Sequence, residues 1–231
     1  MIEALFKPCT FLAMLIYLMA RKKHIEQSDF PYHITARCIN KEWFDLSMDT
    51  VWDIFQNQLY LLSYGHKFEI HNFVLMNNHF HMIVLTPEKN LSKGMQWFMK
   101  SLSSNINQQA GRINQLWGSR FYRSQIKSPL YYLHAYKYVY TNPLKAGIAD
   151  NVLSYKYSSL PGLIGESKLV IPILENTISE MGITKCIDWL NKLPEDSQWN
   201  IVQKALKKTE FKLILNKPNR KPLHNLEQAL F

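Results

Sequence analysis

The chain has 231 residues, 47% of them hydrophobic and 19% charged, with 27 Lys and Arg against 18 Asp and Glu. That length allows one generous domain or a domain with an appendage, and the composition is globular, which excludes a disordered tail protein. The net charge of +9 favours a polyanionic partner such as a nucleic acid or an anionic membrane surface, and three widely spaced cysteines, Cys9, Cys38 and Cys186, support neither a disulfide framework nor a thiolate zinc site.

CTFLAMLIYLMA, behind Lys7, resembles a signal-peptide core but is too short to span a bilayer and lacks a small-residue cleavage site. Met19 opens a soluble-looking stretch, so residues 1–18 read as an upstream extension, and the chain is placed in the cytoplasm without a membrane span. YHITARCI is a strand by its β-branched and aromatic content. Residues 48–64 carry Val51, Ile54, Phe55, Leu59 and Leu62 at helical spacing, with Asp49 in the first turn and Gly65 as C-cap. KFEIHNFVLM, the Asn77-Asn78 turn and HFHMIVL form an antiparallel hairpin. A second amphipathic helix, with Leu91, Met95, Phe98 or Met99, Leu102 and Ile106 on one face, closes at Gly111. NQLWGSRFYRSQIK is a fourth strand, or a basic loop leading into one. Ser128 and Pro129 then start a helix that should end about Asn142, because Pro143 disfavours helical geometry in the residue before it. SSLPGLIGESKLVIP reads as a linker, and from Ile173 the pattern is helical, with Pro194, Glu195 and Asp196 marking a helix start.

The order strand, helix, hairpin, helix, strand, helix makes an α+β sandwich of antiparallel strands and packed helices. Three parts follow: the extension 1–18, a domain over 19–160, and a basic helical C-terminal extension over 161–231 with Lys204, Lys207, Lys208, Lys212, Lys217, Arg220 and Lys221, which could clamp DNA, the favoured reading, pair with a second protomer or buttress the core.

From Lys89 to Ala149 there are nine basic residues and no carboxylate, interleaved with Trp97, Phe98, Trp117, Phe121 and Tyr122. Cations neutralise phosphates and rings stack on bases, so the stretch suits a nucleic-acid strand; a solvated basic face over a core of aromatics is the alternative. On a strand, His79 and His81 project to one face and Phe80, Met82 and Val84 to the other. Two such imidazoles can converge on one metal ion, although a histidine pair of this kind is more often structural. His134, Tyr138 and Asn142 share a helix stripe at four-residue spacing. Laid over the histidine face, that stripe would set an amide oxygen and a phenol beside a cation, the equipment for attacking a phosphodiester. Spacing does not separate Tyr138 from Tyr131, Tyr132, Tyr136 and Tyr140.

The runs NNHFHMIVLTP, LWGSRFYRSQI, YVYTNPLKAGI and YKYSSL, in that order, resemble the REP-associated tyrosine transposases, a branch of the single-tyrosine HUH transposases, over residues 21–160. Where family members often have Pro-Asn before the first histidine, this chain has Asn77-Asn78. The resemblance implies a ferredoxin-like, RRM-like sheet, His79 and His81 as ligands of Mg²⁺ or Mn²⁺ with Asn142 as the third, and Tyr138 as nucleophile. It further implies single-stranded or hairpin DNA as substrate and a covalent 5′-phosphotyrosine intermediate. Arg120, Arg123, Lys127, Lys137 and Lys145 are the phosphate-contact candidates, Trp117 the stacking candidate, and His134 a candidate proton relay against a packing role. A homodimer is left open. Two other readings are a non-catalytic RRM-like nucleic-acid binder and a hydrolase whose metal activates water.

Overall fold

The computed structural model describes residues 26–174, 177–213 and 226. The expectations for residues 1–18 and for Lys217, Arg220 and Lys221 lie outside these. The central unit runs β1 (Tyr32–Arg37), α1 (Met48–His66), β2 (Glu69–Met76), β3 (His79–Leu85), α2 (Leu91–Ala110), β4 (Tyr122–Gln125) and α3 (Pro129–Lys145). Strand order is β2-β3-β1-β4, and every pairing is antiparallel. This is the expected ferredoxin-like sheet, with α1 and α2 as its two crossovers.

Alternation along the strands divides the interior in two. Tyr32, Ile34, Ala36, Phe73, Leu75, Phe80, Met82 and Val84 meet α1 and α2 in one core, where Phe55 contacts Phe73, Phe80 and Phe98. Val74, Met76 and Ile83 point the other way and pack with Tyr136, Val139 and Tyr140 of α3. Beyond α3 come a single turn α4 (Leu160–Leu163), then α5 (Thr177–Met181), α6 (Ile183–Asn191) and α7 (Asp196–Leu206). Leu190 of α6 and Trp199 and Val202 of α7 complete the second core. Helices therefore pack on both faces of the sheet. Among the described residues no helix is long and apolar enough to cross a membrane.

Four local expectations are corrected. Helix α1 continues through Gly65 to His66, and Lys67 takes the left-handed conformation at φ 56° while Asn90 Nδ2 donates to the His66 carbonyl. The side-chain cap thus does the work expected of glycine. Helix α3 runs past Pro143 to Lys145. Proline removes one N–H in the last turn only, and that turn is buttressed by Asn142 Nδ2 donating to the Tyr138 carbonyl at 2.6 Å and Thr141 Oγ1 to the Lys137 carbonyl at 2.7 Å. The expected linker is fastened along the outer strand β2: Leu75 N–H donates to Tyr157 O, Ser159 N–H to Phe73 O, and Leu174 N–H to Ile70 O. Nor is the chain purely helical from Ile173, which bridges Ile70, while Glu210 bridges Gln125 on the opposite border. These extended pieces pair the sheet's outer backbone groups, which would otherwise be exposed.

One tight contact locks α2 to the start of β2. A methyl group at Gly94 would lie 2.5 Å from Phe68 Cζ, and that ring is only 1% exposed. Gly94→Ala should therefore destabilise by about 1–3 kcal/mol through overpacking, although alanine is intrinsically the better helix former. A urea midpoint at or above that of the parent protein would contradict this.

Candidate active site

The sheet register gathers the polar residues. Across the β1–β3 ladder Thr35 faces His81 and Arg37 faces His79, and across the β1–β4 ladder His33 faces Ser124 and Thr35 faces Tyr122. Directly opposed residues on antiparallel strands share a face, so His33, Thr35, Arg37, His79, His81 and Tyr122 all lie on the side that α3 covers. A cleft of about 510 Å³ opens there, lined by these six together with Tyr138 and Asn142 of α3 and with Gln203 and Lys207 from α7 and its C-cap.

Two of the three residues of the expected stripe, Tyr138 and Asn142, line the cleft with the histidines, while His134 does not. The Tyr138 ring meets His81 edge-on at 5.5 Å between centroids and His33 at 6.0 Å, and its other side stacks on Trp199 at 4.5 Å. Packing separates the helix tyrosines, which spacing alone does not. Tyr136 and Tyr140 are fully buried, Tyr131 lies against Phe211, and Tyr132 hydrogen-bonds His71. Among the described lining residues, Tyr138 is the tyrosine of α3 that reaches the cleft. Burial pushes its phenol above the ordinary value of 10, against hydrogen bonds from Gln203 and Asn142 and the charge of Arg37, which pull it down. The group is a phenol, not a phenolate, at neutral pH.

The two histidines suit a divalent cation by their free atoms. Burial, with Arg37 adding repulsion, lowers His79 to about 3, so the ring is neutral. His79 Nδ1 lies 2.7 Å from Asn78 Oδ1, which can only accept; the ring proton is therefore on Nδ1 and Nε2 keeps its lone pair. His81 is also held neutral, by burial and then by repulsion from His33, His79 and Arg37. The two rings lie 5.1 Å apart at 85°. Asn142 Nδ2 donates to the Tyr138 carbonyl, a bond that does not engage the side-chain oxygen. Among the described residues no three His, Cys, Asp or Glu side chains gather as a metal cluster. Further donors must come from the Asn142 amide, water or a substrate. A set of neutral ligands leaves the charge of an ion undiminished for an anionic substrate, at the cost of weak binding in its absence.

The phosphate-contact candidates fare unevenly. Arg120 is exposed and follows Ser119, which lines the cleft. Arg123 lies across from Ile34, on the opposite side of the sheet, and bonds Ser92. Lys127 pairs with Glu210 at 3.3 Å, and Lys145 pairs with Asp196. Lys137 is 1% exposed over the Trp189 ring, lowered to about 8 by burial and by Lys192, which rules it out as a phosphate contact. Trp117 is likewise a core residue: it donates from Nε1 to the Met99 carbonyl and packs on Phe44 and Phe80, so it offers no face to a base. The exposed ring at the cleft is Tyr122, at 60%. His134 is fully buried with Nε2 on the Leu226 carbonyl, a packing role that removes it as a proton relay. The cations that do line the cleft are Arg37, Lys41 and Lys207, with no carboxylate among the lining residues. Of these, Arg37 was legible: it shares the two-residue period of His33 and Thr35 in YHITAR.

Residues 26–139 match the family described as IS200-like transposase. The chain is similar to the REP-associated tyrosine transposase of Escherichia coli strain K12, with 23% identity over 112 residues that span 48% of this chain and 66% of that protein, just under two thirds of its length. It is also similar in fold to the solved structure of a REP-associated tyrosine transposase bound to a REP hairpin, with a TM-score of 0.53 and 19% identity over 69% of this chain and 94% of that one.

His33 and His71 are lowered by burial to about 3 and about 4, and His79 to about 3. Each binds a proton less readily folded than unfolded. Below the unfolded value of 6.5 the unfolded chain therefore takes up more protons, and stability falls as pH falls. Urea midpoints measured in chelator should be level between pH 8 and 7 and decline from 6.5 toward 4, by up to about 1.4 kcal/mol per pH unit for each such histidine. A flat profile over that window would show that these rings are not buried neutral.

Proposed function

We propose, from the match of residues 26–139 to the IS200-like transposase family, that this chain is a single-tyrosine DNA strand transferase cutting single-stranded DNA beside a hairpin. The observation that carries the reading is the position of Tyr138, edge-on to His81 at 5.5 Å in a cationic cleft free of carboxylates. The similar structure with a REP hairpin supports hairpin DNA as the substrate class.

Tyr138 Oη attacks a phosphorus in line, the bond from phosphorus to the 3′ oxygen breaks, and the strand is left with a 5′-phosphotyrosine and a free 3′-hydroxyl. The phenol proton leaves to solvent, and the departing 3′ oxygen takes up a proton from solvent to become the hydroxyl. The bond energy is stored in the ester, so rejoining by another 3′-hydroxyl is the reverse step. His79, His81 and the Asn142 oxygen would hold a Mg²⁺ or Mn²⁺ ion, which when bound polarises a non-bridging phosphate oxygen. Gln203 holds the attacking hydroxyl, and Trp199 fixes the plane of the ring. Arg37, Lys41 and Lys207 neutralise the backbone, with Arg120 at the rim, and Tyr122 is placed to stack on an unpaired base.

Tyr138→Phe should abolish the covalent adduct seen when labelled single-stranded oligonucleotide and Mn²⁺ are resolved on a denaturing gel, with hairpin binding kept. Product released without any adduct by the parent protein would instead favour the water-activating hydrolase. Arg37→Ala and Lys207→Ala should each weaken hairpin binding and lower the slope of log affinity against log salt by about 0.7–0.9. Unchanged slopes would remove both from the DNA path.

A further inference from the structure

His33 has no part in the chemistry above, yet it is 2% exposed and sits one strand away from the histidine pair. Its Nε2 lies 3.0 Å from His81 Nδ1, and the two rings stack at 5.2 Å with 20° between their planes. Its other nitrogen, Nδ1, is buried with no hydrogen-bond partner among the described residues, and so is the hydroxyl of Ser124, directly across the β1–β4 ladder on the same face. A buried imidazole with an idle nitrogen is an expensive way to fill space; leucine would pack there at less cost. Such a residue calls for a polar reason.

Proton counting supplies one. Two neutral imidazoles joined by one hydrogen bond have a single proton between them, so either ring can be the donor. If His81 offers the Nε2 lone pair to a cation, its proton is on Nδ1 and needs an acceptor. His33 Nε2 accepts only when the His33 proton is on its own Nδ1. We propose that His33 is a positioning residue for His81, accepting from its Nδ1–H and so holding the ring in the tautomer and orientation that present Nε2 to a divalent cation. Asn78 does the same for His79. Each candidate ligand thus has its own outer partner, one an amide oxygen and the other an imidazole, the arrangement by which a protein orients metal-binding histidines. The inference rests on the reading of His79 and His81 as metal ligands.

The test is Mn²⁺ binding to the full chain, followed by the electron paramagnetic resonance of free Mn²⁺, for the parent, His33→Leu, His33→Gln and His81→Ala. His33→Leu should weaken Mn²⁺ binding by about 10- to 100-fold, His33→Gln should recover most of the loss because its amide oxygen can accept from Nδ1, and hairpin binding in chelator should be the same in the two His33 variants as in the parent. Parent-like Mn²⁺ affinity in His33→Leu, or a loss in His33→Gln as large as in His33→Leu, overturns the proposal. If the parent takes up no Mn²⁺, or His81→Ala binds it as well as the parent does, the metal reading itself fails, and this one with it. Should His33→Leu not fold, nitrogen-15 spectra of the parent with Mg²⁺ decide: protons on Nδ1 of both His33 and His81 are expected, and a proton on His81 Nε2 overturns the assignment.

Discussion

The whole site depends on the register between β1 and β3. With Thr35 opposite His81 and Arg37 opposite His79, five polar side chains share the face that α3 covers, while Phe80 and Met82 fill the core beneath. Side chains alternate strictly along a strand, so a slip of one residue would drive both histidines among the phenylalanines and turn those phenylalanines toward the cleft. The apolar core specifies the register far more strongly than the histidines do. Hydrophobic packing on one side of the sheet is what aims imidazoles on the other.

The C-terminal segment is structurally part of this arrangement. Trp199 stacks on Tyr138, Gln203 holds the phenol hydroxyl, and Lys207 joins the cleft wall. The same segment answers the charge imbalance of the central stretch, since Asp196 and Glu210 neutralise Lys145 and Lys127, while Glu42 and Asp45 from the other direction pair with Arg112. A run that looks uniformly basic in sequence is therefore partly neutralised in space. Its remaining cations are fewer, and those of the cleft come mostly from elsewhere.

Periodicity explains which features were legible in advance. The period of two in HFHMIVL gave the facing of His79 and His81, and the four-residue spacing of Tyr138 and Asn142 gave their common stripe; both are local geometry. The order of strands and helices was readable for the same reason, and the strand-to-strand arrangement entered through the family resemblance. What was hidden depends on contacts distant in sequence. Trp117 and Lys137 looked available because nothing nearby reveals that Phe44 and Phe80 enclose one and Trp189 the other. His33 escaped notice because a lone histidine in a strand acquires meaning only from its neighbour across the ladder. The stretch after Tyr155 has turn-forming residues and no strong period, yet its backbone finds partners on β2.

Residues 157–159 run along β2 and residues 209–211 along β4, so one continuous piece of chain seals both margins of the sheet. A polypeptide interrupted anywhere between these two points, whether still emerging from the ribosome or nicked afterwards, would leave a bare margin able to zip onto the backbone of a neighbour. Completion of the sheet is thereby deferred until residues 209–211 have been made, and protection of its β4 margin rests on that segment.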